Sequence, residues 1–202
     1  MFKQFILIFV SMFILSANAF ADEAPFDLEW GLTLDEVKAM GVVCEDEIMV
    51  YDVVISCKTS SVPKNLSTAE TYSLYFFPDQ NLQKVFMTSE TISDDLYGTE
   101  GKNTYLKLQG ILTKKYGEPE KYEWVGRALY NERDEFYECL DYSGCGTYSS
   151  YFTTDYGGDI GLRLEGLGRG EGYITLAYEG PKFTIAMAAI EDQKAAQDID
   201  AL

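Results

Sequence analysis

The sequence predicts an α+β fold in which an antiparallel sheet has helices packed on one face. This prediction rests on three features: a helix with clear start and stop signals, short alternating segments separated by turn residues, and the order helix, strands, helix, strands, helix. Strands that are joined by short turns pair antiparallel. The amphipathic helices must then bury their apolar sides against a face of that sheet.

The first helix is predicted over Leu34 to Met40. Thr33 and Glu36 have the Thr-x-x-Glu spacing of a capping box, in which each side chain accepts a backbone N–H of the other residue. Gly41 provides the stop signal that commonly follows a helix. The preceding Trp30 is therefore expected to lie buried beneath the start of this helix, in a core role.

Two more helices are predicted further along the chain. From Thr104 to Tyr116, the apolar residues Tyr105, Leu108 and Leu112 recur at helical spacing and share one face. The segment from Ile185 to Asp198 is rich in alanine, the best helix former, and predicts a C-terminal helix.

The strands are predicted from alternation with a period of two residues. Turn residues separate several of these segments, as at Pro78-Asp79-Gln80-Asn81, which predicts a hairpin. The predicted strands are Ile48 to Val50, Val53 to Ile55, Thr71 to Phe76, Gln83 to Met87, Lys121 to Val125, Ala128 to Tyr130, Tyr148 to Thr153, Ile160 to Leu164 and Tyr173 to Tyr178.

The order of the elements predicts two halves, 25–98 and 99–180, each a helix followed by a small antiparallel sheet. The C-terminal helix lies within 181–202. Since no Pro- or Ser-rich linker divides the chain, we expect a single domain over 22–202.

The first 21 residues have the pattern of a secretory signal peptide. Lys3 precedes an apolar run from Phe5 to Leu15, and small residues follow at Ala17, Ala19 and Ala21. The run is shorter than the ~20 residues that a membrane-spanning helix needs. The sequence therefore predicts export without membrane insertion, to the periplasm or, alternatively, to the medium.

The four cysteines of an exported chain are expected to form two disulfides. Three pairings are possible. We favour the two local pairs, Cys44–Cys57 across a hairpin and Cys139–Cys145 around a short surface loop. No Cys-x-x-Cys redox motif and no zinc pattern is present in the sequence.

Acidic residues dominate the charge. Without the signal segment, which contains one lysine, the chain has 33 acidic and 15 basic residues, a formal charge of −18. This charge disfavours nucleic acid and anionic membranes as partners. It leaves two interpretations open: a charge that keeps the protein in solution, or electrostatic steering toward a cationic partner protein.

An enzymatic function is not predicted, and no catalytic residue, cofactor or metal site is assigned. The sequence contains no histidine, which excludes Ser-His and Cys-His nucleophile pairs. Glu165 and Glu171 could serve as a glycosidase pair, but a chain with many acids always offers such a pair. The segment from Asp155 to Asp159 is interpreted as a tight strand turn rather than a calcium loop.

The segment 142–156 is rich in Tyr, Ser and Gly, a composition that antibody paratopes use for binding. We predict it as a partner-binding surface formed by Tyr142, Tyr148, Tyr151, Asp155 and Tyr156. The alternative is that the alternating tyrosines pack within a sheet, where aromatic residues are favoured.

Two segments support a resemblance to known families. They are Phe26-x-x-x-Trp30-Gly31-Leu32-Thr33-x-x-Glu36-Val37 and Tyr105-x-x-Leu108-x-x-x-Leu112-x-x-Lys115-Tyr116-Gly117-x-Pro119. In them the chain resembles small exported bacterial proteins, and its layout is similar to the tandem helix-plus-sheet modules of β-lactamase-inhibitor-like proteins and outer-membrane assembly lipoproteins. The resemblance implies a module that binds other proteins.

The sequence thus predicts a non-enzymatic periplasmic protein-binding module, of the inhibitor or immunity type, that acts against a cationic hydrolase or toxin. The alternatives are an envelope structural or assembly factor and a carboxylate-based glycan hydrolase.

Overall fold

The computed structural model describes residues 23–126, 129, 130 and 132–200. These residues form an α+β structure with an antiparallel sheet and helices, as predicted from the sequence. The predicted signal segment, 1–21, lies outside the described residues.

The helices are α1 (Leu34–Ala39), α2 (Thr99–Tyr116), α3 (Phe136–Asp141) and α4 (Phe183–Asp200). The strands are β1 (Asp46–Val50), β2 (Val54–Thr59), β3 (Ala69–Phe77), β4 (Asn81–Ser89), β5 (Glu120–Trp124), β6 (Thr147–Thr153), β7 (Asp159–Gly168) and β8 (Glu171–Glu179).

All described strands join one antiparallel sheet in the order β1-β2-β3-β4-β8-β7-β6-β5. The first half of the sheet, β1 to β4, follows α1, and the second half, β5 to β8, follows α2. The last strands of the two halves pair with each other, from Lys84 opposite Glu179 to Thr88 opposite Thr175. The sheet therefore continues across the boundary between the halves.

Helices α1, α2 and α3 cover one face of the sheet. Val37 of α1, Tyr105 of α2 and Tyr137 of α3 are all fully buried in the main core. The sheet contributes every second residue of its strands to this core, such as Leu162 and Leu164 of β7. This packing is the predicted arrangement, in which amphipathic helices bury a sheet face.

Helix α4 departs from the predicted one-face arrangement because it packs against the opposite face. Its Ala186 and Ile190 form a second, smaller core with Val54 of β2 and Phe77 of β3. Phe183 adds an edge-to-face contact with Phe77, with ring centroids 5.5 Å apart. The cause is local, since Val54 of β2 and Tyr75 and Phe77 of β3 place apolar side chains on the second face, where burial under a helix stabilises them.

Two glycines allow α3 to approach the sheet closely. A Cβ at Gly166 would collide with the carbonyl oxygen of Tyr137, and a Cβ at Gly172 would collide with the ring of the same tyrosine. Gly166 and Gly172 are register partners on β7 and β8. The position of α3 therefore depends on the absence of side chains at this one place in the sheet.

Several local predictions are confirmed by the structure. The capping box of α1 is present, with the Glu36 N–H donating to the Thr33 hydroxyl and the Thr33 N–H donating to the Glu36 carboxylate. Trp30 is buried. Both predicted disulfides, Cys44–Cys57 and Cys139–Cys145, are present in the structure.

Helix α2 begins five residues before the predicted start, at Thr99 rather than Thr104. The carboxylate of Asp95 explains the earlier start, because it accepts the N–H groups of Thr99 (2.7 Å) and Gly101 (3.0 Å). Burial opposes ionisation of this carboxylate, but these bonds and one from the Tyr137 hydroxyl outweigh it and lower the pKa of Asp95.

The region between β5 and β6 differs most from the prediction. A strand was expected over 128–130, but Leu129 and Tyr130 do not lie in a strand, and residue 128 is outside the described residues. Helix α3 was not predicted, because a six-residue helix is too short for a periodic apolar pattern to stand out.

Candidate functional site: the open face of the sheet

The face of the sheet that α4 leaves uncovered in the second half is here called the open face. A groove of about 800 Å³ lies along it. Alternate positions on the strands supply its lining, which includes Lys84 and Phe86 of β4, Tyr173, Thr175, Ala177 and Glu179 of β8, Gly161, Arg163 and Glu165 of β7, and Tyr151 and Thr153 of β6.

The strand register explains why this face forms a groove. One row of paired residues crosses it, from Phe86 through Ala177 and Gly161 to Tyr151. The two central residues are small, whereas the two outer residues are large and aromatic. The row is therefore low at Ala177 and Gly161 and rises to an aromatic side chain at each end, with the Tyr151 ring in contact with the position above Gly161.

The charges around the groove are unbalanced. The lining contains five carboxylates, from Glu118, Glu120, Asp159, Glu165 and Glu179, and two cationic side chains. Each cation is already paired, Lys84 Nζ with Glu179 Oε1 at 2.9 Å and Arg163 Nε with Glu165 Oε1 at 3.1 Å. Among the described residues, the other three carboxylates have no ion pair, so the groove carries a net negative charge.

Aromatic side chains provide the contact area of the open face. Tyr151 is 44 % exposed and meets the equally exposed Tyr122 edge to face, with ring centroids 6.0 Å apart. The hydroxyl of Tyr122 donates to the Glu120 carboxylate, and this bond raises the pKa of Tyr122. Burial, aided by Glu165, raises the pKa of Tyr173 on the neighbouring strand. Because their pKa values are raised, Tyr122 and Tyr173 keep their hydroxyl protons at neutral pH and can donate hydrogen bonds.

The predicted partner-binding residues do not form one surface. Tyr151 lies on the open face, whereas Tyr148, three residues earlier on the same strand, points to the opposite face. There Tyr148 packs edge to face against Tyr105 (5.8 Å) and Phe136 (5.5 Å). For Tyr148, the alternative interpretation of sheet packing therefore describes the structure.

The remaining predicted residues are spread over other parts of the molecule. Tyr142 follows α3 and is exposed, with its ring against that of Tyr130. Asp155 is exposed in the turn between β6 and β7. Tyr156 is half-buried against Trp30, and burial raises its pKa to about 12. Only Tyr151 of the five contributes to the groove.

Sequence reasoning missed most of the lining residues, including Phe86, Arg163, Tyr173 and Glu179. A signal for them was present in the alternation of the strands. Between the buried Ile160, Leu162 and Leu164 of β7 stand Gly161 and Arg163, and such intervening positions define the second face of a strand.

A buried polar network joins α2 to the edge of the sheet. The Tyr105 hydroxyl lies 2.6 Å from Ser150 Oγ, and Gln109 Nε2 donates to both Ser150 Oγ (2.7 Å) and Glu123 Oε1 (2.8 Å). Burial raises the pKa of Tyr105 to about 12, so its hydroxyl keeps its proton. Since Ser150 is fully buried, the network positions β5 and β6 and does not expose a nucleophile.

The two carboxylates considered as a glycosidase pair, Glu165 and Glu171, lie on neighbouring strands, β7 and β8. The Glu165 carboxylate is engaged with Arg163, and Glu171 is exposed at the start of β8. Within the described ranges, no three His, Cys, Asp or Glu side chains converge as a metal site. None of the described helices is long and apolar enough to cross a membrane.

Comparisons with protein-family models, with curated proteins and with solved structures found no match to this chain. The two disulfides are typical of a protein that folds in an oxidising compartment.

Proposed function

We propose that this chain is a non-enzymatic, periplasmic protein-binding module that captures a cationic segment of another protein on its open face. In this role it acts as an inhibitor or immunity-type protein against a basic hydrolase or toxin. The observation that carries the proposal is the row from Phe86 to Tyr151, with its small central residues, set among carboxylates that have no ion pair within the described structure.

The physical reasoning joins shape and charge. Partly exposed aromatic residues around a groove are the side chains that most often dominate binding energies at protein interfaces. Carboxylates at the rim of a contact mainly accelerate association with a cationic partner. Phe86 and Tyr151 therefore supply affinity, whereas Glu120 and Asp159 supply steering and selectivity for positive charge.

The proposal is tested by measuring binding to a panel of basic secreted hydrolases, each together with a succinylated copy whose lysines have become acidic. We expect binding to at least one basic enzyme and none to its succinylated copy. Tyr151→Ala should weaken that complex at least tenfold, as the loss of an aromatic hot spot does. The matched control is Tyr142→Ala, an exposed tyrosine outside the groove, which should bind as the wild type does.

Charge variants test the steering component separately. Glu120→Gln combined with Asp159→Asn should slow association and weaken its salt dependence, while dissociation changes less. If the panel does not distinguish basic from succinylated enzymes, the proposed selectivity for a cationic partner is wrong. If Tyr151→Ala and Tyr142→Ala behave alike, the open face is not the binding site.

A further inference from the structure

The second half of the sheet ends at β5, whose outer edge faces no other strand of the described chain. Helix α2 packs mainly over β6, β7 and β8, and its Tyr105 and Gln109 reach β5 from one face of the sheet. Side chains of the strand, among them Lys121, Tyr122 and Glu123, are exposed. An open edge of this kind is a template for pairing with another strand unless its side chains prevent it.

The charges of β5 select one way in which the strand pairs with itself. When two copies pair antiparallel with Tyr122 opposite Tyr122, Lys121 of each copy lies opposite Glu123 of the other. A shift by two residues in one direction places Lys121 opposite Lys121, and a shift in the other direction places Glu123 opposite Glu123. Opposite charges across a strand pair stabilise it and like charges destabilise it.

We propose that two copies of this chain associate through β5 in this register, with Tyr122 on the two-fold axis. The interface is isologous, as in most homodimers. It extends the sheet from the eight described strands of one copy into those of the other. Directly opposed residues lie on the same face of a sheet, so the two open faces lie on the same side of the dimer.

Hydrogen bonds within one copy already restrict the charged side chains of this contact. Lys121 Nζ donates to Gln109 Oε1 at 3.2 Å, and Gln109 Nε2 donates to Glu123 Oε1 at 2.8 Å. Both charged residues are thus fixed on the α2 side of the strand, and less side-chain freedom is lost when a second copy binds.

The opposite edge of the sheet lacks this complementarity. In β1, self-pairing centred on Ile48 would place Glu47 opposite Met49 and Asp46 opposite Val50. In this β1 register no carboxylate faces a cation, whereas the β5 register contains two Lys121–Glu123 pairs beside two pairs of Glu120 with Trp124. The proposal therefore applies to β5 alone, and since a five-residue strand buries little area, the dimer is weak and depends on concentration.

Disulfide cross-linking tests the register directly, because the four native cysteines are already bonded to each other. Y122C places two thiols opposite each other at the axis, so we expect a covalent dimer after oxidation with diamide. The matched control is E120C, because in this register position 120 of one copy lies about 13 Å from position 120 of the other. That separation is too large for a disulfide. Equal cross-linking of both variants, or none of either, would overturn the proposal.

Sedimentation velocity over a concentration series tests the charge argument on the uncross-linked protein. K121E should raise the dissociation constant of the dimer at least tenfold, and K121E combined with E123K should restore it, since the swapped pair is again complementary. Circular dichroism checks the fold, because Glu123 also accepts a bond from Gln109. A wild type that stays monomeric at all concentrations would overturn the proposal even if the open face binds a partner.

Discussion

The two halves of the sheet share one plan, a helix followed by four antiparallel strands, but they differ on the face opposite α1, α2 and α3. In the first half, α4 covers this face by packing Ala186 and Ile190 against Val54 and Phe77. In the second half, the same face remains open and forms a groove. One half therefore has three layers, whereas the other has two.

The difference between the halves is encoded in their side chains. Val54 and Phe77 are apolar, so burying them under a covering helix lowers the free energy of the folded first half. The same face of β7 carries Arg163 and Glu165, whose charges would be costly to bury under an apolar helix. The charged side chains of the open face therefore disfavour a covering helix of the kind that the first half has.

The largest effect is expected from closing the space between α3 and the sheet. Gly166→Ala should lower the free energy of unfolding by about 3 kcal/mol, because the new methyl group collides with the Tyr137 carbonyl. Gly161→Ala lies on the same strand but on the open face, where the nearest atom is a Tyr151 ring carbon at 3.6 Å. It should change stability by less than about 0.5 kcal/mol. Urea unfolding of both variants decides whether the two faces differ as described.

Each half contains one disulfide, so removing the two disulfides separately compares the stability that each half gains from its bond. Replacing Cys44 and Cys57 by Ser, which opens a loop with a sequence separation of 13, should cost about 3 kcal/mol. Replacing Cys139 and Cys145, with a separation of 6, should cost about 2 kcal/mol. Thermal unfolding of the two double variants gives the order, and a greater loss from the second would contradict it.

The cover of the first half can be loosened at one residue. Ile190→Ala should lower stability by about 2 kcal/mol, because it removes a buried side chain from the small core under α4. The matched control is Ile199→Ala on the same helix, where the side chain is 71 % exposed and the change should be near zero. If both substitutions have the same effect, α4 does not cover the sheet in solution.

The junction between the halves should respond to pH through Asp95. Its pKa is lowered in the folded state, so its ionised form contributes stability above about pH 4, the unfolded value, and that contribution is lost as the pH falls through the folded pKa. Asp95→Asn should therefore cost about 1 kcal/mol at pH 7, because an amide has one acceptor oxygen and cannot replace both carboxylate oxygens that accept from Thr99 and Gly101. Unfolding measured from pH 7 to pH 2.5 should show the wild type and the variant converging in acid, and a constant difference would contradict the assignment.

The local elements could be predicted from the sequence because their signals are local. The capping box of Thr33 and Glu36 gives the start of α1 correctly, and the predicted end differs from the observed one by one residue. The hairpin around residues 78–81 follows from its turn residues. The early start of α2 was missed because its cap, Asp95, stands four residues before Thr99 and outside the spacing of a capping box. The position of α4 could not be predicted from local signals, because it depends on which strands the helix packs against.

The candidate site was predicted poorly for a related reason. A groove is built from residues on neighbouring strands, and the pairing of β4 with β8 joins residues far apart in the chain. One error was avoidable, because an odd separation along a strand always places two side chains on opposite faces. Tyr148 and Tyr151 could not have shared a surface once both were assigned to one strand.

The pairing of β4 with β8 also bears on how the sheet is completed during folding. Lys84 and its partner Glu179 are separated by 95 residues. Contacts of such large sequence separation form slowly, because the entropy of closing the loop is lost before the pairing is gained. Until β8 pairs, the edge of β4 has no partner. A folding intermediate that contains only β1 to β4 therefore carries an open strand edge that can pair with another chain.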